Sequence, residues 1–331
     1  MSAAAALRRS WERYWFVPAP LVDLAVCRIA VTGFHLFVML APYALLKYPV
    51  YGMLDHYAAL PDTQWGPEPL AMRALLAPLG GARPDLALTQ RVLWLTIAAG
   101  GLALVGWRTR TACALFALGN VFLSAYSYSF GEHHHTEAIT VMFLLALPFA
   151  PCGAALSVDA ALARRRAGAG AAGAVGPAAP GGPGALSDQA RWPLLFVQWM
   201  FALCYLSAAV CKLAASGLAW LNGYTLQYYM LQDGLRWETG IGPWMAGQHG
   251  LSVALSWFSI LVEGAFCLVL VRPRAAAVLV PAAIALHLGV YATMRAPFLM
   301  YLPLYAVFVP WSRLAERKAG RAPFRCYHPP P

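Results

Sequence analysis

The chain has 331 residues, of which 60% are hydrophobic and only 11% charged, and it carries a net charge of +10. A soluble chain carries about a quarter of its residues as charges, so the composition argues against a water-soluble globule. The positive charge needs no nucleic acid to explain it, because it gathers in short segments beside long apolar blocks, where basic residues orient membrane helices.

A helix that crosses a bilayer needs about 20 mostly apolar residues, and lipid admits only helices or closed barrels. The blocks here are rich in Leu, Ala and Val and do not alternate strictly. The predicted fold is therefore all-α: a polytopic integral membrane bundle of about eight transmembrane helices. Residues 1–20 form a basic, aromatic lead-in with Arg8, Arg9, Arg13, Trp11 and Trp15, suited to an interfacial helix. The predicted spans follow at 21–46, 88–106, 110–130, 136–157, 192–215, 250–271, 275–294 and 297–311. The first is too long for a cleaved signal and holds Asp23 and Arg28, so it reads as a span. Residues 21–311 thus make one transmembrane domain, interrupted by a Gly/Ala/Pro-rich flexible linker at 167–187 and followed by a basic tail at 312–331.

Charge tests this layout. With eight spans and cytoplasmic ends, 16 of the 24 Lys and Arg residues fall on the cytoplasmic side and 6 on the other, leaving Arg28 and Lys212 within spans. That bias obeys the positive-inside rule. The expected location is a multi-pass protein of a bacterial inner membrane with both termini cytoplasmic. The seven cysteines show neither a disulfide framework nor a zinc-ligand spacing, so no metal is expected.

Ionisable groups inside a bilayer are costly and mark candidate sites. Four within spans qualify as candidate sites: Arg28, Lys212, Glu263 and His287. Lys212 is either a buried base, with Ala208 and Ala209 one turn before it, or a lysine reaching outward to the headgroups. Arg28, expected on the inner third of the first span, suggests a structural ion pair with Glu263 or Asp159. His287 could reach the site of Lys212 or be a satisfied core histidine. A further cluster, Glu132 to Glu137, contains His133, His134 and His135. Consecutive helical residues point about 100° apart, so at most one or two of these face a common site. The external segment at 216–249 carries Trp220, Tyr224, Tyr228, Tyr229, Trp237 and Trp244. These rings suit either the lipid interface or a site for a flat amphipathic ligand.

Several of these segments together resemble the HTTM superfamily, the vitamin K-dependent γ-carboxylase-like membrane proteins. The residues that carry the resemblance are Asp23 to Arg28, Gly106 to Arg110, His133 to His135 followed by Ser157–Asp159, Gln198 through Tyr205 to Leu213, Trp220 to Gly223, and His287 with 297–311. The resemblance implies a membrane enzyme that uses a reduced quinone, similar to vitamin K hydroquinone. It assigns Lys212 as the base that deprotonates the quinol, with His134 or His135 as the active-site histidine and His287 assisting. Tyr205, Trp220 and Tyr224 are the expected quinone-binding residues. The family's large substrate-gripping extramembrane region has no counterpart after the last predicted span, so carboxylation of peptide glutamate is not expected. The alternative is a non-catalytic membrane accessory or maturation factor that binds a protein partner or a lipid.

Overall fold

A computed structural model describes residues 3–41, 52–66, 77, 82–131, 137–168 and 185–318. It is an all-α, polytopic membrane bundle. Among the described residues, six helices are long and apolar enough to cross a bilayer: Leu21–Leu40, Leu86–Val105, Thr109–Tyr128, Arg191–Asn222, His249–Val271 and Pro273–Met294. Two further predicted spans are shorter apolar helices, Ala138–Phe149 and Phe298–Phe308. Strand is confined, among these residues, to a two-residue antiparallel pair, β1 (Ala19–Pro20) with β2 (Leu186–Ser187).

The chain divides into two compact units. The first comprises Met1–Leu195 with Val309–Pro331, and the second Phe196–Phe308.

In the first unit, α1 (Ala3–Trp15) lies within the basic, aromatic lead-in, with Leu7 and Trp11 exposed beside Arg8 and Arg9. α2 (Leu21–Leu40) ends earlier than the predicted span, at an extended Ala41. The next residue is Pro42, and a following proline pushes its predecessor out of helical geometry. A short α3 (Leu54–Ala59) precedes α4 (Leu86–Val105), whose first turn is capped by Asp85 accepting from the Leu88 N–H at 2.7 Å. α4 ends at Gly106 in the left-handed conformation (φ +73°), and α5 (Thr109–Tyr128) starts three residues later. A Cβ at Gly106 would collide with Ser157 and the Arg28 guanidinium, so only glycine fits this turn. α6 (Ala138–Ala146) runs into a 3-10 turn, Leu147–Phe149, where Pro148 withholds a backbone donor. α7 (Val158–Gly168) closes back on the Gly106 turn, the Asp159 N–H donating to the Gly106 carbonyl at 3.0 Å.

The second unit is built on α8 (Arg191–Ser216), the last turns of which lead into a 3-10 segment, Gly217–Asn222, after a break at Gly217 (φ +56°). α9 (Tyr224–Arg236) and α10 (Ile241–Ala246) lie across one end of the antiparallel pair α11 (His249–Ala265) and α13 (Ala276–Met294). Gly223 meets the backbone of Ser252 and Val253 at the start of α11, and Gly242 meets the Thr293 carbonyl at the end of α13. α12 (Leu268–Val271) and a 3-10 turn join α11 to α13. The final apolar segment, Phe298–Phe308, is a 3-10 helix containing Pro303. The chain ends its described course in α14 (Trp311–Lys318), part of the first unit, where the Ser312 N–H donates to Asp23 at 2.7 Å.

Candidate functional site

Lys212 belongs to the face of α8 that also presents Tyr205 and Ala209, at i, i+4 and i+7. The opposite face, Leu203, Leu206, Val210 and Leu213, is exposed in the protein and suits lipid. The Lys212 ammonium is engaged within this unit. It donates to Glu263 Oε1 in an ion pair, and the Trp220 ring lies 5.3 Å from its nitrogen. Glu263 is the fifteenth residue of the 23-residue apolar helix His249–Val271, counting from His249. The carboxylate that holds the Lys212 ammonium thus belongs to an apolar helix. The Lys212 side chain keeps 24% of its surface exposed and the Glu263 side chain 8%.

The residues around the pair are polar for a helix of this hydropathy. Ser252, Ser256, Ser259 and Glu263 fall at i, i+4, i+7 and i+11 of α11, and all four are buried. Ser259 donates to the Ser256 carbonyl at 3.2 Å. Three buried atoms in this unit have no hydrogen-bond partner: Glu263 Oε2, Ser256 Oγ and Trp220 Nε1. Buried polar atoms are almost always paired, so each such exception calls for an explanation.

Tyr205 and His287 meet one another, as part of a second cluster. The Tyr205 hydroxyl is 3.1 Å from His287 Nε2 and is also hydrogen-bonded to the Tyr305 hydroxyl, which lies 3.3 Å from His287 Nδ1. Phe298 stacks on the imidazole at 5.2 Å between centroids. This ring set is continuous with the Lys212 site through α11, since Phe266, one turn from Glu263, packs 4.5 Å from the Tyr205 ring. Seven residues separate Tyr205 from Lys212, about 10 Å along the helix axis. His287 thus serves the tyrosine pair, and no hydrogen bond between it and Lys212 is present. Tyr224, the other expected ligand contact, is exposed and stacks on His249 at 4.6 Å. His133, His134 and His135 lie outside the described residues.

The expected pairing of Arg28 with Glu263 or Asp159 is not what the structure holds. Glu263 belongs to Lys212. The fully buried Arg28 guanidinium instead donates to two carbonyls, Ala103 and Leu156, each at 2.7 Å. Asp159 accepts from the N–H groups of Arg108 and Thr109 and from the Thr109 hydroxyl, at 2.9, 2.8 and 2.7 Å. Burial works against its charge most strongly. The three hydrogen bonds, with the Arg28 charge behind them, outweigh that and hold its carboxyl below the ordinary value of 3.8.

Two functional candidates were not foreseen in these roles. Glu263 was assigned to a different partner, although the Ser252/Ser256/Ser259/Glu263 spacing marks a polar stripe facing into the bundle. Tyr305 was not singled out, and its i, i+4 relation to Tyr301 in an apolar block was the available signal. Among the described residues no group of three or more His, Cys, Asp or Glu side chains is placed to hold a metal. Comparison of the chain with family models, with curated proteins and with solved structures finds no match.

Proposed function

We propose that this protein binds a lipid-soluble quinol or related phenol beside Lys212 and oxidises it, in the manner suggested by its resemblance to the HTTM superfamily. The observation that supports this reading is the Lys212–Glu263 pair itself, an ionisable couple kept deep in an apolar helix pair, with an aromatic ring against the ammonium. Such groups inside a bilayer are retained for function more often than for stability. The buried Glu263 Oε2 and Trp220 Nε1 fit a group that both donates and accepts hydrogen bonds, as a quinol hydroxyl does.

Oxidation of a quinol to its quinone releases two electrons and two protons, which reduce dioxygen to hydrogen peroxide. The side chains handle the first phenolic proton. Paired as an ammonium, Lys212 accepts a proton only after passing one to Glu263, so the two act as a unit: Glu263 takes the lysine proton and Lys212 Nζ takes the phenolic one. Trp220 and the Tyr205 ring position the ligand. A histidine from 133–135 assists, as the resemblance suggests. The site faces away from the cytoplasm of a bacterial inner membrane, and both termini are cytoplasmic. Alkaline phosphatase fused to the C-terminus tests that orientation, and phosphatase activity in cells would reverse it.

The test of function uses purified protein, a reduced quinone and oxygen, with quinone and epoxide as the products measured. Lys212→Ala is expected to lower the rate by at least about 100-fold, the usual scale for loss of a positioned base. Wild-type rates in that variant would end the proposal.

A second reading, a non-catalytic accessory that binds a partner or lipid, is favoured by one observation. Tyr224, Tyr228, Leu231 and Leu235 form an exposed apolar stripe along α9 at i, i+4, i+7 and i+11. A co-purifying protein, with Lys212→Ala harmless in cells, supports that reading instead.

A further inference from the structure

We infer that α9 and α10 form an interfacial platform: the exposed apolar stripe of α9 sits at the boundary between lipid headgroups and acyl chains, and phospholipid covers it. The inference is independent of the ligand proposed for Lys212.

α9 and α10 lie across the end of the second unit where α11 begins and α13 finishes. Both of those helices belong to segments long and apolar enough to cross a bilayer, His249–Val271 and Pro273–Met294. A span ends where the hydrocarbon does, so an element laid across its end lies at headgroup depth. α9 is pinned there at two points. Near its start, Gln227 donates to the Ala246 carbonyl at 2.6 Å, and its Oε1 lies 2.8 Å from His249 Nδ1. Just past its end, the Thr239 hydroxyl donates to the Thr293 carbonyl at 3.0 Å. These bonds fix the direction in which each side of α9 points.

Three faces follow one another around α9. Met230 and Gly234 are buried, with Pro243 of α10 against Gly234. About 110° further round come Tyr224, Tyr228, Leu231 and Leu235. About 90° beyond these come Thr225, Gln232 and Arg236, the last two exposed. The apolar stripe is 46–64% exposed, against 37–56% for Leu203, Leu206, Val210 and Leu213 on the exposed face of α8. The stripe is thus as bare as a helix face suited to lipid. α10 adds exposed Ile241 and Trp244 at the same end of the unit. A helix lying in a membrane interface needs an apolar face beside a polar one. Tyr and Trp, with an apolar body and a polar tip, favour that depth.

A second copy of the chain is the competing occupant. A stable protein interface engages about 20–30 residues on each side. The exposed apolar residues of α9 and α10 fall well short of that number. A bilayer imposes no such minimum, because the spans already hold the protein in it. Charge fits phospholipid in general. Arg236 and Arg295, each 5.0 Å from an aromatic ring, place cations at this end, and Asp233 and Glu238 balance them. Zwitterionic lipid therefore suffices.

The experiment is site-specific photolabelling. A benzophenone amino acid is placed singly at Tyr228, Leu235 and Gln232 of the full-length protein, in phosphatidylcholine vesicles. After irradiation, adducts are read by intact-protein mass spectrometry and gel mobility. The same residue at Leu206, on the exposed face of α8, sets the yield of a lipid-facing position. Tyr228 and Leu235 are expected to gain a phospholipid at a yield within about threefold of Leu206, and Gln232 at least about tenfold less. The labelled positions are exposed, so packing at Met230 and Gly234 is kept, and melting temperatures equal to wild type establish this. A crosslinked dimer at Tyr228 or Leu235 in place of the lipid adduct gives the stripe to a second copy and overturns the inference. No adduct at Tyr228 or Leu235, with Leu206 labelled, places the stripe in water and overturns it too. Equal lipid yields at Gln232 and Tyr228 overturn the orientation given to α9.

Discussion

The Arg28 guanidinium binds the Ala103 carbonyl in the last turn of α4, and the Asp159 carboxylate binds the first N–H groups of α5, so the two residues serve opposite ends of the turn at Gly106. A cation at a helix C-terminus and an anion at a helix N-terminus both oppose the exposed ends of the helix dipoles. Arg28 also holds the carbonyl of Leu156, a non-glycine residue at positive φ (46°), in a conformation with an intrinsic cost.

Loss of Arg28 is therefore a loss of helix-end satisfaction rather than of an ion pair. Arg28→Met removes the donor from the buried Ala103 carbonyl and the part-buried Leu156 carbonyl and is expected to destabilise the first unit by about 2–4 kcal/mol. Arg28→Lys, with a single nitrogen for two carbonyls, recovers only part of it. Thermal melting in detergent distinguishes the three, and a stable Arg28→Met protein would contradict the assignment.

Asp159 gives a pH dependence of known sign. Its folded pKa lies below its ordinary value of 3.8. Its contribution is fully present above 3.8 and is lost as pH falls through the lower folded value. Asp159→Asn should be less stable than wild type at neutral pH, and the gap should close as the solution is acidified below pH 3.8. A gap constant down the acid limb would show that the carboxylate is not the stabilising form.

The Gly106 turn admits no side chain. Gly106→Ala must displace Ser157 or Arg28 and also hold alanine at φ +73°. Folded yield is expected to drop sharply. Gly101→Ala, where a Cβ meets nothing within 4 Å, is the matched control. Comparable losses in both would point to a general sensitivity of α4.

Breaking the Lys212–Glu263 pair from one side leaves a charge uncompensated in the apolar layer. Lys212→Met or Glu263→Leu alone should each cost about 3–5 kcal/mol, and the double change far less than the sum. The check is a double-mutant cycle by melting in nanodiscs. Additive losses would mean that the two charges are independently solvated.

Tyr205→Phe removes a hydroxyl shared with His287 and Tyr305. The ring packing against Phe266 and Phe201 survives. The expected cost is about 1–2 kcal/mol, with His287 left short of one partner. Tyr205→Leu should cost more, because it also empties the stacked ring set. Equal losses in the two variants would assign the whole effect to packing.

Much of the bundle was legible in the sequence because lipid reads mean hydropathy over about 20 residues, and six of the predicted spans survive as long helices. The remaining two shortened for a local reason. Pro148 and Pro303 interrupt the α-helical ladder, which a hydropathy average does not register. The final segment still covers distance, since eleven residues of 3-10 helix at about 2.0 Å each extend roughly 22 Å. Lys212 and Glu263 were each legible as costly residues. Their pairing was not, because it depends on how α8 and α11 turn their faces, and periodicity fixes a face without naming its neighbour. Arg28 illustrates the same limit: its charge suggested a carboxylate partner, whereas helix ends offer carbonyls that a sequence pattern does not display.

The Lys212–Glu263 pair also constrains how the chain enters the membrane. The two residues are 51 positions apart, so α8 leaves the ribosome well before its counter-charge is made. A helix carrying a single ammonium partitions poorly into lipid by itself. α8 is thus expected to wait beside the insertion machinery until α11 arrives, the two entering as a neutralised pair.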